Sequence, residues 1–359
     1  MAGDEGVEMA PDRRAATIKD VAAAAGVGVA TVSRVLSGTG SVSPATRERV
    51  QAAARELDYR PSALGRGLKL RRTGSLGLVL PDVTDPFCAE FTAGVLDCAR
   101  TLGEHVIVDV SHDDPAREAE IVERFAGQRV DGIIAVPSGD AAGWRAASAV
   151  GLPVVFAGRV LDDLPAVPAV LCDDRAGVRA AVDYLVGLGH RRPAFLGGPA
   201  PGTAVEVRER AFRDTVAELG AVLDEDLVVR ARSGRDSAYA AAAGLFQRRP
   251  DVTAVLAAGH VPGEAAVLVA REFDLRVPAD VSIVMVDDVP WAELCDPPLT
   301  VVSRPARELG YRACEVLRRR PATVGRTPPV VLPAELVVRG SCSPPTGMPG
   351  APPRSSRAR

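Results

Sequence analysis

The chain has 359 residues, 47% hydrophobic and 25% charged, with a net charge of −3 and a mean hydropathy of +0.09. That is long enough for two or three domains, each with its own core. No apolar run reaches the roughly 18 residues of a spanning helix, and the acidic opening MAGDEGVEMAPDRR lacks the apolar stretch of a secretory signal, so a cytoplasmic protein is expected.

Residues 1–15 read as a flexible tail. The next stretch, Thr17–Leu36 (TIKDVAAAAGVGVATVSRVL), reads as two short helices. Ile18, Val21, Ala22 and Ala25 make an apolar stripe, Thr17 can cap the first helix with Asp20 in its first turn, and Gly26 stops it. In the second helix Val32, Val35 and Leu36 face inward while Thr31, Ser33 and Arg34 face out. Two short helices around a glycine turn form the helix-turn-helix pattern, whose second helix enters the DNA major groove. The same pattern also describes an αα-hairpin that only fills a core. Ser43-Pro44 then opens a third helix with Val50, Ala53, Ala54 and Leu57 inward.

Charge favours the DNA reading. Residues 12–72 carry twelve Lys/Arg and five Asp/Glu, a surplus of +7 on a chain that is −3 overall. A basic head on an acidic body is the footprint of a phosphate-binding module.

From Ser75 onward, short β-type runs such as LGLVLP, HVIVDV, DGIIAVP and LPVVFAG alternate with helical stretches. The alternation restarts after Cys172 with PAFLGG, DLVVR, TAVLAA and VSIVMVD. This predicts two parallel sheets covered by helices. The closing stretch SPPTGMPGAPPRSSRAR reads as disordered by composition. Six scattered cysteines (Cys88, Cys98, Cys172, Cys295, Cys314, Cys342) form no CxxC, so free thiols and no metal site are expected. There is no GxSxG, HExxH or P-loop, and Gly197-Gly198-Pro199 lacks dinucleotide spacing, so neither catalysis nor a cofactor is expected.

TIKDVAAAAGVGVATVSRVLSG, VSPATRERV, ELDYRPSALGRGLK and GSLGLVLPDVTDPFCAEF together resemble the lactose-repressor/galactose-repressor family of bacterial transcription regulators. VDGIIAVPS, YLVGLGHRRPAFLGGP, LRVPADVSIVMVDD, DPPLTVV and LPAELVVRGS extend the resemblance over roughly residues 16–342. It implies an all-α helix-turn-helix head with a hinge helix, joined to an α/β core like that of periplasmic binding proteins. The expected divisions are a head over 16–60 and a hinge over 61–72. A first half of the core takes 73–171 and 300–330, a second half takes 172–299 and 331–340, and the tail is 341–359. The implied function is a ligand-responsive, sequence-specific regulator, most naturally a repressor, acting as a homodimer on palindromic operator DNA. A sugar-binding protein of a transport system is the alternative; the missing signal and the basic head argue against it.

By the resemblance, Val29 and Ala30 take the base-contacting positions, with Thr17, Thr31, Ser33 and Arg34 on the same surface. Val29 and Ala30 offer only apolar contact, such as to a thymine methyl, and Val29 also suits packing against its own helix. Arg34 suits a guanine or a phosphate. Leu68 matches the family's inserted leucine, a wedge that kinks the duplex, although residues 62–72 also read as a plain linker. Gly28 departs from the family's serine. Gly65 and Gly67 depart from its hinge residues and should keep the segment unfolded off DNA. For the effector the resemblance implies Phe87 as an aromatic wall, with Asp173, Arg208 (in RERAF) and Asp287 as polar contacts. An Asp-Arg pair suits the hydroxyls of a sugar or nucleoside, and equally a structural salt bridge across the cleft. Gly259-His260 stands where the family usually has Asn-Asp; His260 reads as a candidate ligand contact and equally as an exposed loop histidine.

Overall fold

The computed structural model describes residues 16–37, 40–59, 72–161, 163–198, 204–319 and 328–346. The chain divides between Thr73 and Gly74 into a small unit and a large one. Leu68, Gly65 and Gly67 lie outside the described residues, as do 1–15 and 347–359.

The small unit contains α1 (Ile18–Ala25), α2 (Val29–Ser37) and α3 (Pro44–Glu56). α1 begins where the Asp20 carboxylate accepts from both the N–H and the hydroxyl of Thr17, each at 2.7 Å, which puts a negative charge at the helix's positive end. It stops at Gly26, whose φ of 63° is left-handed and therefore favours glycine. Pro44 takes the first position of α3 behind the Ser43 cap, whose hydroxyl accepts from the Thr46 N–H at 3.3 Å. Val21, Ala22, Ala25, Val32, Val35, Val50, Ala53 and Ala54 form the core. Leu57, expected to face inward, is exposed: it caps α3, and there the helical periodicity that would turn it inward ends.

In the large unit, a first run comprises β1 (Ser75–Leu80), α4 (Pro86–Thr101), β2 (His105–Val110), α5 (Pro115–Gly127), β3 (Ile133–Ala135), α6 (Ala142–Ala149), β4 (Val154–Ala157) and β5 (Ala169–Cys172). A second comprises α7 (Asp174–Gly187), β6 (Ala194–Gly197), α8 (Ala204–Glu218), β7 (Val228–Arg230), α9 (Arg235–Arg248), β8 (Ala254–Ala257), α10 (His260–Glu272) and β9 (Ser282–Val286). The chain closes with α11 (Pro290–Leu294), β10 (Thr300–Ser303), α12 (Ala306–Arg319), β11 (Val330–Leu332) and β12 (Glu335–Val337). One sheet runs β11-β5-β4-β3-β1-β2 and the other β12-β10-β9-β8-β6-β7. All pairings are parallel except β10 with β12. Parallel strands sandwiched by helices must be apolar on both faces, and β3, β4, β8 and β9 are buried along their whole length.

The crossings between halves differ from the expected boundaries. β10 pairs with β9 of the second sheet, so the chain returns to the first half only at Arg304-Pro305, not at residue 300. β11 pairs with β5 of the first sheet, so the second half is rejoined after Leu332 rather than at 331. Short valine-rich strands on either side of a crossing have the same composition, and only the edge that takes their hydrogen bonds tells them apart.

The start of the expected disordered tail is also ordered. Ser341 Oγ donates to the Ile283 carbonyl at 2.6 Å and accepts from the Thr300 N–H at 2.8 Å. Ser343 N donates to Ser282 Oγ at 3.1 Å. Behind them lies His190, whose Nε2 is 3.0 Å from the Ser343 carbonyl and whose Nδ1 is 2.9 Å from Thr253 Oγ1. With Nε2–H donating to the carbonyl, Nδ1 accepts from threonine, so the ring is held neutral. Burial pushes its pKa below the ordinary 6.5, outweighing the help that a proton would get from the Ser343 carbonyl. Above pH 6.5 both folded and unfolded states are neutral at this ring; as the pH falls below it, the unfolded chain takes up a proton that the folded one resists. Denaturant titrations should therefore show stability lost on acidification, with a shallower loss in His190→Gln. An identical pH profile in that variant would exonerate His190.

The helices α4 and α12 pack in parallel at backbone contact. A Cβ built on Gly94 would lie 1.9 Å from the Arg307 carbonyl oxygen, and one on Gly310 would lie 2.0 Å from that of Phe91. One turn further along each helix, Cys98 and Cys314 are buried in the same core. Burial raises the Cys314 pKa, marking it as an inert packing thiol.

Candidate functional site

The small unit exposes the start of α2. Val29 is 42% exposed; Ala30 and Arg34 are exposed, and Thr31 and Ser33 half-exposed. Val29 therefore does not pack into the head. In the turn before it the Thr31 and Val32 N–H groups donate to the Gly28 carbonyl at 2.8 and 3.2 Å. Arg34 runs its stem past Gly40, where a Cβ would come within 3.2 Å of Arg34 Cδ. Thr17 sits at the start of α1, its hydroxyl engaged by Asp20.

In the large unit the carboxyl ends of both sets of parallel strands carry the charged residues. Arg208, on α8, is buried and donates from Nε to Asp174 Oδ1 at 3.0 Å and from Nη1 to the Ala258 carbonyl at 2.7 Å. Asp287 follows β9 with a left-handed φ of 80° and receives Arg304, whose Nε donates to its Oδ1 at 2.7 Å and whose Nη2 donates to the same oxygen. Arg304 Nε is also 3.9 Å from Asp174 Oδ1, and its guanidinium lies 3.9 Å over the Phe87 ring. Two arginines and two aspartates thus form a closed, charge-balanced chain that ends on an aromatic face. Burial opposes the charge on Asp287, but Arg304 and Arg208 outweigh it and hold the carboxyl below its ordinary range. Burial likewise opposes the Arg304 cation, which Asp287 and Asp174 hold protonated. A cavity of about 840 Å³ runs along α4 and α12, lined by Phe87, Glu90, Asp97, Asp287, Arg304 and Arg307; it touches the charged chain at Asp287 and Arg304, and its lining includes neither Arg208 nor Asp174.

Phe87, Arg208 and Asp287, all expected from the sequence, are brought together. Asp173 is placed differently: it caps α7, accepting from the Ala176 N–H at 2.9 Å, and its neighbour Asp174 turns in to Arg208. Sequence reading missed Asp174 and Arg304. The Asp-Asp pair at a helix start does not say which carboxylate faces inward, and Arg304 shows only as a basic residue before a proline. His260 approaches from the second half: its Nδ1 is 3.7 Å from Asp85 Oδ2, while Asp85 Oδ1 caps α4 through the Phe87 and Cys88 N–H groups. Among the described residues no three His, Cys, Asp or Glu side chains are grouped to hold a metal, and no helix is long and apolar enough to cross a membrane.

Comparison with known proteins extends this geometry. The model for bacterial regulatory proteins of the lacI family matches residues 17–62, and a periplasmic binding protein-like domain matches 182–342. The transcriptional regulator CelR of Thermobifida fusca is 37% identical over 339 residues, covering 92% of this chain and 99% of CelR. The chain belongs to the lacI family of bacterial regulatory proteins. Among solved structures, the CelR–cellobiose complex superimposes with a TM-score of 0.69 at 34% identity, covering 91% of this regulator and 99% of that chain. The lac repressor dimer bound to operator and an anti-inducer gives a TM-score of 0.82 at 26% identity, covering 92% of this regulator and all of that chain.

Proposed function

We propose that this regulator is a repressor that binds palindromic operator DNA as a homodimer and is controlled by a small sugar-like or nucleoside-like molecule held between the two sheets. The observation that carries the reading is the buried Arg208–Asp174–Arg304–Asp287 chain ending on Phe87, attached to a head of the lacI family. Such a site hydrogen-bonds hydroxyls from fixed charges and stacks a ring on an aromatic face. Edge strand β2 leaves Ile107 and Val108 exposed, and α4 leaves Leu96 exposed, apolar surface for the second copy. In this reading Val29, Ala30, Thr31, Ser33 and Arg34 face the major groove, and Leu68 enters the minor groove.

In vitro selection from random duplexes with the full-length protein should enrich a palindrome, and a panel of sugars and nucleosides should yield one that alters binding to it. Failure to enrich any sequence would overturn the regulatory reading. On the selected site, Arg34→Ala should cost about 1–3 kcal/mol if Arg34 reads guanine. A loss shared by random DNA, with shallower salt dependence, would assign it to phosphate instead.

A further inference from the structure

We propose that α12 transmits the state of the cleft to the point where the chain enters the large unit, and that Arg318 is the positioning residue at its far end. The inference rests on the effector-gated reading above. α12 has 14 residues and is therefore about 21 Å long. It starts immediately after Arg304-Pro305, and Arg304 holds Asp287 of the second half while lying over Phe87 of the first. Any change at the cleft that moves Arg304 acts directly on the helix start.

The helix cannot absorb that displacement sideways. Its Gly310 and the Gly94 of α4 bring the two backbones into contact, with no compressible side chain between them. α4, which carries Asp85 and Phe87 at its own start, must shift together with α12.

At the other end Arg318 is ion-paired to Glu104 and lies 4.0 Å from Asp131 Oδ2. These residues hold Gly74, the first residue of the large unit. The Gly74 N–H donates to Asp131 Oδ2 at 3.0 Å. Its carbonyl accepts from the N–H of His105, next to Glu104, at 2.8 Å. The Asp131 N–H also donates to the Ser75 carbonyl at 2.7 Å. Arg318 thus neutralises two carboxylates whose side chains are less than a tenth exposed and whose segments grip the entry point on both sides. Displacing or removing it leaves like charges facing one another and loosens both grips. A cation at each end of one rigid helix links the cleft to the entry of the chain from the head.

Hydrogen exchange of the full-length protein tests this without knowing the effector. Arg304→Lys keeps the charge but loses the planar stack on Phe87 and the two-nitrogen hold on Asp287. It should accelerate exchange at the Gly74 and His105 amides by about tenfold, although they lie at the far end of α12. Phe87→Leu, which removes the ring without changing charge, should do the same. Arg318→Met should accelerate these amides by itself, and Arg304→Lys added to it should bring no further increase. Asp131→Asn keeps an acceptor for Gly74 while removing the charge, and takes the place of Arg318→Met if that variant does not fold. On a DNA site selected with the wild-type protein, Arg318→Met should shift specific affinity more than random-DNA affinity. The proposal is overturned if both cleft variants change exchange only around residues 85–91 and 285–305. It is equally overturned if cleft and entry substitutions accelerate the Gly74 amide by independent factors that multiply. A wild-type protein that selects no DNA would strike at the regulatory reading instead, and the exchange result would stand by itself.

Discussion

Methionine in place of Arg304 is expected to destabilise the large unit by about 3–5 kcal/mol, because it strands a buried carboxylate. The side chains of Arg304 and Asp287 are only 8% and 9% exposed, so water cannot take over when one partner is lost. Asp174, 3.9 Å from the same guanidinium, loses a neighbour too. The pair is not itself a large net source of stability, since desolvating two charges cancels most of their attraction. Arg304→Met combined with Asp287→Leu should therefore recover most of the loss. Urea midpoints for wild type, both single variants and the double variant close the cycle. If the double variant is as unstable as the sum of the singles, the two side chains do not act as a pair. Both single variants should also lose the effector response, because Asp287 and the Phe87 face are reorganised together.

The second large effect belongs to a residue with no side chain. Gly310→Ala places a methyl 2.0 Å from the Phe91 carbonyl oxygen and close to the Val95 nitrogen, both backbone atoms of α4. Overpacking against side chains typically costs about 1–3 kcal/mol because rotamers give way; here two helices must separate, and the loss should reach or exceed the top of that range. Gly94→Ala should behave alike, its methyl falling 1.9 Å from the Arg307 carbonyl. Gly28→Ser is the control, since a Cβ there meets nothing within 4 Å. Thermal or urea denaturation of the three variants decides it: a Gly310→Ala protein within about 1 kcal/mol of wild type would mean that the helices are not locked at this crossing.

Local chemistry was legible throughout. Gly26, Pro44 and the Thr17–Asp20 pair each act within a turn of the helix end they set, so the bounds of α1 and the start of α3 could be read directly. The inner strands β3, β4, β8 and β9 read as unbroken apolar runs because helices cover both of their faces. Phe87, Arg208 and Asp287 were found through motifs, and each lies next to a strand end or on the helix that follows one.

By itself, then, the sequence determined the three-helix head, the two parallel α/β halves and the basic-over-acidic charge division, because these depend on periodicity, capping and composition within single segments. The tertiary structure alone decided what depends on distance between segments. It selected Asp174 over Asp173, since one helix turn sends only one of two adjacent carboxylates towards Arg208. It brought Arg304, 17 residues from Asp287 in sequence, onto that carboxylate and over Phe87. It assigned β10 and β11 to opposite sheets through the edges that accept their hydrogen bonds. It also ordered Ser343 against His190 and Ser282, since partners more than 60 residues away, not local composition, satisfy its backbone.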